Sequence, residues 1–322
     1  MRSLKYVFSA FALCLAPLFP ADAADKYPSK PVQIVVPGAP GGDTDFWARI
    51  ITKNMSQYLG EQAIVVNVAG GGGTIGSAKV KDSAPDGYTV LMYHPGMLLQ
   101  TVTGSTKYGI DDFEMGAISV VDDSMALIVN AENKNLPDLA ALANAIKEKP
   151  GTLRFAADTG GYAHFHALTF EQVTGGKFNI VDVGGQGPKV AALLGGQIDT
   201  MSAPLNTVKG FMESKKFRAL GMMSEQRNPA YPDVPTFKEL GYDLVFPKPY
   251  FLVFPKGTPE SAIDTFNEAL IKALKDPEML KSLENDNVQA SGLAKEEMRA
   301  YLTKMQEGFQ KTYDAYRKSQ TK

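Results

Sequence analysis

Three histidines, His94, His164 and His166, are the residues best suited to move protons or hold a metal in this chain of 322. A helix over residues 163–173 would send His164 and His166 to different sides. No Asp or Glu stands by them at the His-Glu-x-x-His spacing of a zinc protease. No Gly-x-Ser-x-Gly presents a nucleophilic serine, and no motif places two carboxylates for acid–base work. The single cysteine, Cys14, follows Phe11-Ala12-Leu13, a poor lipoprotein signal. No catalytic residue, metal ligand or cofactor is therefore assigned, and the chain reads as a binder.

What could bind is bare backbone. In VVPGAPGGDTDFWARI (Val35–Ile50) an apolar run stops at Pro37, and Gly38, Ala39, Pro40, Gly41, Gly42 and Asp43 lead to Thr44 and a helical pattern. A loop at the carboxyl end of a strand that enters a helix sits at the mouth of a sheet. The helix start offers unpaired N–H groups and a partial positive charge, and glycines let a ligand approach the main chain. The stretch reads as an anion site, or as a tight turn with Thr44 or Asp45 as the N-cap. Gly70–Gly73 and Gly160-Gly161 end two further strands in the same way, so the three loops are expected to share one cleft.

Gly71-x-Gly73-x-x-Gly76 matches a dinucleotide-binding fingerprint. The acid expected at the end of the next strand is missing, and Tyr93-His94 stand there instead. Gly38–Asp43 lacks the Lys-Ser/Thr of a P-loop. An exported nucleotide-using enzyme is the alternative these glycines leave.

The elements that would position these loops alternate. Val32–Val36, Gln62–Val68 and Tyr88–Tyr93 read as strands, separated by helices from Asp45 to Gly60 and over Ser77–Ser83. This β-α-β-α-β order implies a parallel sheet with right-handed crossovers. A second block repeats it, with strands at 126–130, 153–157, 178–183, 198–204 and 217–223. Its helices are read at Leu136–Lys147, Ala163–Val173 and 188–195. The tail is helical, with core stripes Ile263, Phe266, Leu270, Leu274 and then Met298, Leu302, Met305, Phe309.

The length exceeds what one hydrophobic core usually serves, so two lobes are expected. Thirty-three Lys and Arg against 35 Asp and Glu leave a formal charge of -2, which gives no basic field for nucleic acid. Arg2 and Lys5, the apolar stretch Tyr6–Phe19 and Ala21-Asp22-Ala23 form an expected signal peptide, residues 1–23. Export to the periplasm follows.

YPSKPVQIVVPGAPGGDTDFWAR, APDGYTVLM, AALLGGQID, FRALGMMSEQRNPAYPDVPTFKELGY and VFPKGTP together resemble the tripartite tricarboxylate transporter receptors, the TctC or Bug solute-binding proteins. The resemblance runs from Tyr27 to about Leu302. It implies an α/β, two-lobed Venus-flytrap fold, each lobe a parallel-sheet sandwich, joined by two hinge crossovers. It implies a non-catalytic periplasmic receptor, a monomer, for a small carboxylate: a di- or tricarboxylate, an acidic amino acid or an aromatic acid. Large and small integral-membrane subunits would be its partners, or a signalling protein in a sensory receptor of the same fold. Lobe 1 would be residues 24–123 plus 225–322 and lobe 2 residues 124–224, with crossings near Val120–Met125 and Met222–Gln226.

The resemblance puts the ligand on two strand-to-helix loops. One is Gly38–Thr44; the other is Gly160, Gly161 and Tyr162 through His164 to His166, which matches the family histidine. Family serines are absent there, and a family lysine is replaced within Gly184-Gly185-Gln186-Gly187. Asp43 occupies a position that is often small. Tyr93, His94, Asn206 and Tyr250 are expected to shape the pocket.

Overall fold

The structure is a computed structural model in which residues 26–286 and 288–320 are described. The expected signal peptide and Cys14 lie outside the described residues.

The chain opens with β1 (Val32–Val36), α1 (Asp43–Leu59), β2 (Ala63–Asn67), α2 (Thr74–Lys81), β3 (Thr89–Tyr93), α3 (Gly96–Val102) and β4 (Phe113–Asp122). It continues with β5 (Met125–Asn130), α4 (Leu139–Glu148), β6 (Arg154–Ala156), α5 (Tyr162–Thr174) and β7 (Asn179–Val181). Then come α6 (Gln186–Leu194), β8 (Thr200–Pro204), α7 (Leu205–Glu213) and β9 (Phe217–Met222). The last part is β10 (Lys248–Pro255), α8 (Glu260–Leu274), α9 (Pro277–Asp286), β11 (Gln289–Ala290) and α10 (Lys295–Gln320).

Two sheets result, ordered β11-β4-β10-β3-β1-β2 and β7-β6-β8-β5-β9. Parallel pairing holds where the sequence alternates strand and helix: β1 with β2 and β3, and β6 with β7 and β8. Both sheets are nevertheless mixed rather than wholly parallel. β10 runs antiparallel to β3 and β4, and β5 antiparallel to β8 and β9. The cause is connectivity. β4 carries the chain out of the first sheet and β10 brings it back, so these neighbours must point in opposite directions.

The outward crossing is the short link Asp122–Met125. The return falls later than Met222–Gln226. Residues 223–246 stay against the second sheet, where Met222 N–H bonds Pro235 O (2.8 Å), Phe237 N–H bonds Met222 O (2.8 Å) and Phe246 N–H bonds Met223 O (2.8 Å). The proline-rich run has no strand alternation yet docks through its main chain.

β1, β3 and β10 read as largely apolar runs because both of their faces are covered. Ile34 and Val36 of β1 and Val90 and Met92 of β3 enter one core, beneath Trp47, Ile51 and Met55 of α1. Val35, Leu91 and Tyr93 face the other way into a second core. That core continues through Met298, Leu302 and Phe309 of α10 to Phe165 and Phe170 of α5, which lies on the other sheet. α1 ends where Gly60 turns left-handed at φ 80°.

Candidate ligand-binding cleft

The carboxyl ends of β1, β2, β6 and β7 each feed a glycine-containing loop and then a helix. All four loops open onto one cleft of about 670 Å³, lined from both sheets. The N-caps of α1, α5 and α6 are Gly42, Gly161 and Gly185, and none makes a side-chain cap bond. The first-turn N–H groups of a helix have no partner inside it, so three helix starts bring donors and positive dipole ends to one volume.

Gly38 through Thr44, His94, Gly160, Gly161 and Tyr162 line the cleft, but His164, Asn206 and Tyr250 do not. His164 turns aside to accept the Gly160 N–H at Nδ1 (2.9 Å), which braces the loop from behind. Tyr250 is fully buried under the floor and donates its hydroxyl to Asp43 Oδ2 (3.1 Å). Asn206 lies in the first turn of α7, past the cleft-lining Pro204.

The dinucleotide-like glycines have a packing role. The Tyr93 hydroxyl donates to Gly72 O (2.6 Å), as does Gln100 Nε2 (2.8 Å). A Cβ on Gly73, at φ 100°, would strike that hydroxyl, and one on Gly76 would come within 2.7 Å of Val68 O. These glycines let α2 and Tyr93 approach the loop closely.

Sequence reading missed the lysines. Lys248, at the start of β10, is 5% exposed and pairs with Asp43, while its ammonium lies 5.9 Å from the Tyr162 ring centroid and 5.4 Å from that of Tyr250. Nothing in PKPYF marks Lys248 as a cleft residue; register puts it beside Asp122 at the crossing. Lys189 of α6 is 7% exposed and pairs with Asp158 Oδ1 at 3.0 Å. It stands just beyond Gly184–Gly187 and reaches the same cleft.

Burial raises the Asp43 pKa, but the Lys248 ammonium and the hydrogen bonds from Lys248 and Thr44 outweigh it and hold the carboxyl well below its usual range. Asp43 is thus a firmly anchored anion. The histidine values fall as well, but for a base a lower pKa removes the charge instead of fixing it. Burial, aided by Lys248, pushes both His94 and His166 down to about 3, so both rings are neutral at pH 7. The Gly96 N–H fills His94 Nδ1 (3.0 Å), which leaves the ring proton on Nε2. His166 shares Nδ1 with Ser202 Oγ (2.9 Å), and its Nε2 is buried without a hydrogen-bond partner. Among the described residues no cluster of three or more His, Cys, Asp or Glu could hold a metal ion.

Two mixed α/β halves around a ligand-sized cleft at the strand ends define a periplasmic-binding-protein fold. The family model described as "Tripartite tricarboxylate transporter family receptor" matches residues 47–311. The chain is 34% identical to protein BugT of Bordetella pertussis over 274 residues, 84% of this chain and 82% of that one. It therefore belongs to the tripartite tricarboxylate transporter receptor family, whose members are solute-binding receptors and not enzymes. A solved structure of a periplasmic transporter is 30% identical with a TM-score of 0.81, covering 91% of this chain and 98% of that one. MatC from Rhodopseudomonas palustris with bound malate is 26% identical with a TM-score of 0.81, covering 89% and 99%.

Proposed function

We propose that the protein is a periplasmic receptor that closes its two halves around a small carboxylate and delivers it to large and small membrane subunits. The observation that carries this reading is the convergence of the uncapped starts of α5 and α6, with Lys189, onto a cleft shared with the glycine loops of the first sheet. Hydrogen bonds to a charged partner are worth about 1.5–3 kcal/mol each, so a few desolvated N–H groups hold a carboxylate without a net positive site. The malate complex of MatC supports the ligand class. The links Asp122–Met125 and Phe246–Lys248 serve as the hinge, residues 1–23 as the export signal, and the receptor works as a monomer. No helix among the described residues is long and apolar enough to cross a membrane.

The test is a thermal-shift panel of organic acids. A ligand at 100 times its Kd stabilises the folded state by about 2.7 kcal/mol, a shift of a few degrees. A panel that leaves Tm unmoved at millimolar concentration refutes the reading.

A further inference from the structure

Both cations lining the cleft are already paired with acids that line it. Its lysines are Lys248 and Lys189. Lys248 is paired with Asp43, whose carboxylate also accepts from Tyr250 Oη (3.1 Å) and Thr44 N–H (2.8 Å). Lys189 is paired with Asp158, a side chain 41% exposed and held more loosely. Asp45 and Asp182 line the same cleft; Asp45 is taken by Arg49 at 2.9 Å, and Asp182 accepts the Gly184 N–H at 2.9 Å. The rest of the polar wall, Tyr93, His94, Gln100, Tyr162 and His166, is uncharged.

We propose that Asp43 is a built-in counter-ion that fills the place of a second ligand carboxylate against Lys248. The solute then carries one carboxylate, held at the α5–α6 side by Lys189, and an uncharged remainder against the His94–Tyr162 wall. This rests on the carboxylate-receptor reading and narrows it. A second carboxylate has no unmatched cation to meet, since Lys248 sits among three groups fixed on Asp43 in a buried floor. It would also face Asp43, Asp45 and Asp182. A single carboxylate needs only to displace the exposed Asp158 from Lys189. The remainder meets hydroxyl, amide and imidazole groups, with the His94 Nε2–H as a neutral donor.

Calorimetry on the full chain decides it, with benzoate, 4-hydroxybenzoate, lactate and 3-hydroxybutyrate against succinate, malate and citrate. The best monocarboxylate is expected to bind at least tenfold more tightly than the best polycarboxylate. In Asp43→Asn, Lys248 is left unmatched. Malate or succinate affinity should rise at least tenfold relative to that of the best monocarboxylate. Asp43→Asn/Lys248→Met, which removes both charges, should show no such gain. Polycarboxylates that bind as well or better in the parent overturn the counter-ion proposal while leaving the carboxylate receptor standing. So does an Asp43→Asn protein that gains nothing for them. Should Asp43→Asn not fold, the parental ranking decides alone. A panel in which no acid binds refutes the receptor reading itself.

Discussion

At the mouth of α1 the Thr44 N–H is bonded by Asp43, the Gly41 N–H by Asp45 Oδ2 (2.9 Å), and both acids sit in the first helical turn. At the mouths of α5 and α6 the first turns hold no acid and the N-caps make no side-chain bond. All three loops are glycine-rich, all three line one cleft, and the N–H before each N-cap is already taken, that of Gly41 by Asp45, of Gly160 by His164 and of Gly184 by Asp182; only α1 also places acids in its first turn and bonds a first-turn N–H, that of Thr44. The comparison teaches that a glycine-rich strand-to-helix loop supplies access, while the acids next to it decide whether that access is left for a solute.

The largest expected effect falls on the self-satisfied mouth. Lys248→Met leaves Asp43, a side chain 20% exposed beside the buried Tyr250, without its cation. Removing one partner of a buried pair costs about 3–5 kcal/mol, which urea unfolding would register. Asp43→Asn/Lys248→Met should recover most of that loss; a double variant as unstable as the single would show that the methylenes of Lys248, not its charge, matter.

On the open side, Lys189→Met should weaken carboxylate binding by about 1.5–3 kcal/mol, the worth of one charge-assisted hydrogen bond. Its effect on stability should be small, because partner Asp158 is partly solvated. Calorimetry beside unfolding separates the two, and equal losses in both would break the assignment.

Gly185→Asp gives the mouth of α6 an acid of its own, at the N-cap. Gly185 has φ -70° and nothing within 4 Å of a built Cβ, so the side chain fits and can cap the Gly187 N–H. Stability should hold or rise by up to about 1 kcal/mol, while carboxylate affinity falls about tenfold or more. Unchanged affinity would mean that the α6 donors are not the ones the solute uses.

The smallest effect is in pH. An unfolded histidine titrates near 6.5, whereas His166 in the fold sits at about 3. Between these values the unfolded chain binds the extra proton, so the contribution of His166 to stability falls as pH falls. From pH 5.5 to 4.5, His166→Asn should lose about 1.4 kcal/mol less than the parent, measured by urea unfolding at both values.

Much of this arrangement was legible beforehand, for physical reasons that differ by region. The bounds of β1 are legible because four of its five residues are apolar and β-branched and prolines flank it. The α10 stripe was read because one face of it alone is apolar. β4 and β10 are not among the expected strands, although Tyr250–Phe254 is an unbroken apolar run; what no local pattern shows is their antiparallel pairing, which joins residues far apart in sequence, and with it the mixed strand directions and the place of Lys248. In the cleft, glycine marked the loops, but glycine says nothing of side chains arriving from elsewhere. Lys248, Lys189 and Asp158 are placed by register and helix phase. His164 and Tyr250, expected in the cleft, stand behind its lining, where His164 Nδ1 accepts the Gly160 N–H and the Tyr250 hydroxyl donates to Asp43.

β10 lies between β3 and β4 in the first sheet, although the whole second sheet separates it in sequence from β4. The amino-terminal hundred residues therefore have a gap where a central strand belongs, and no amount of local propensity closes it. Such a topology has a high contact order and consolidates slowly. A truncated chain that stops short of Pro255 should stay open along that seam, so completion of the first half waits on nearly full-length synthesis.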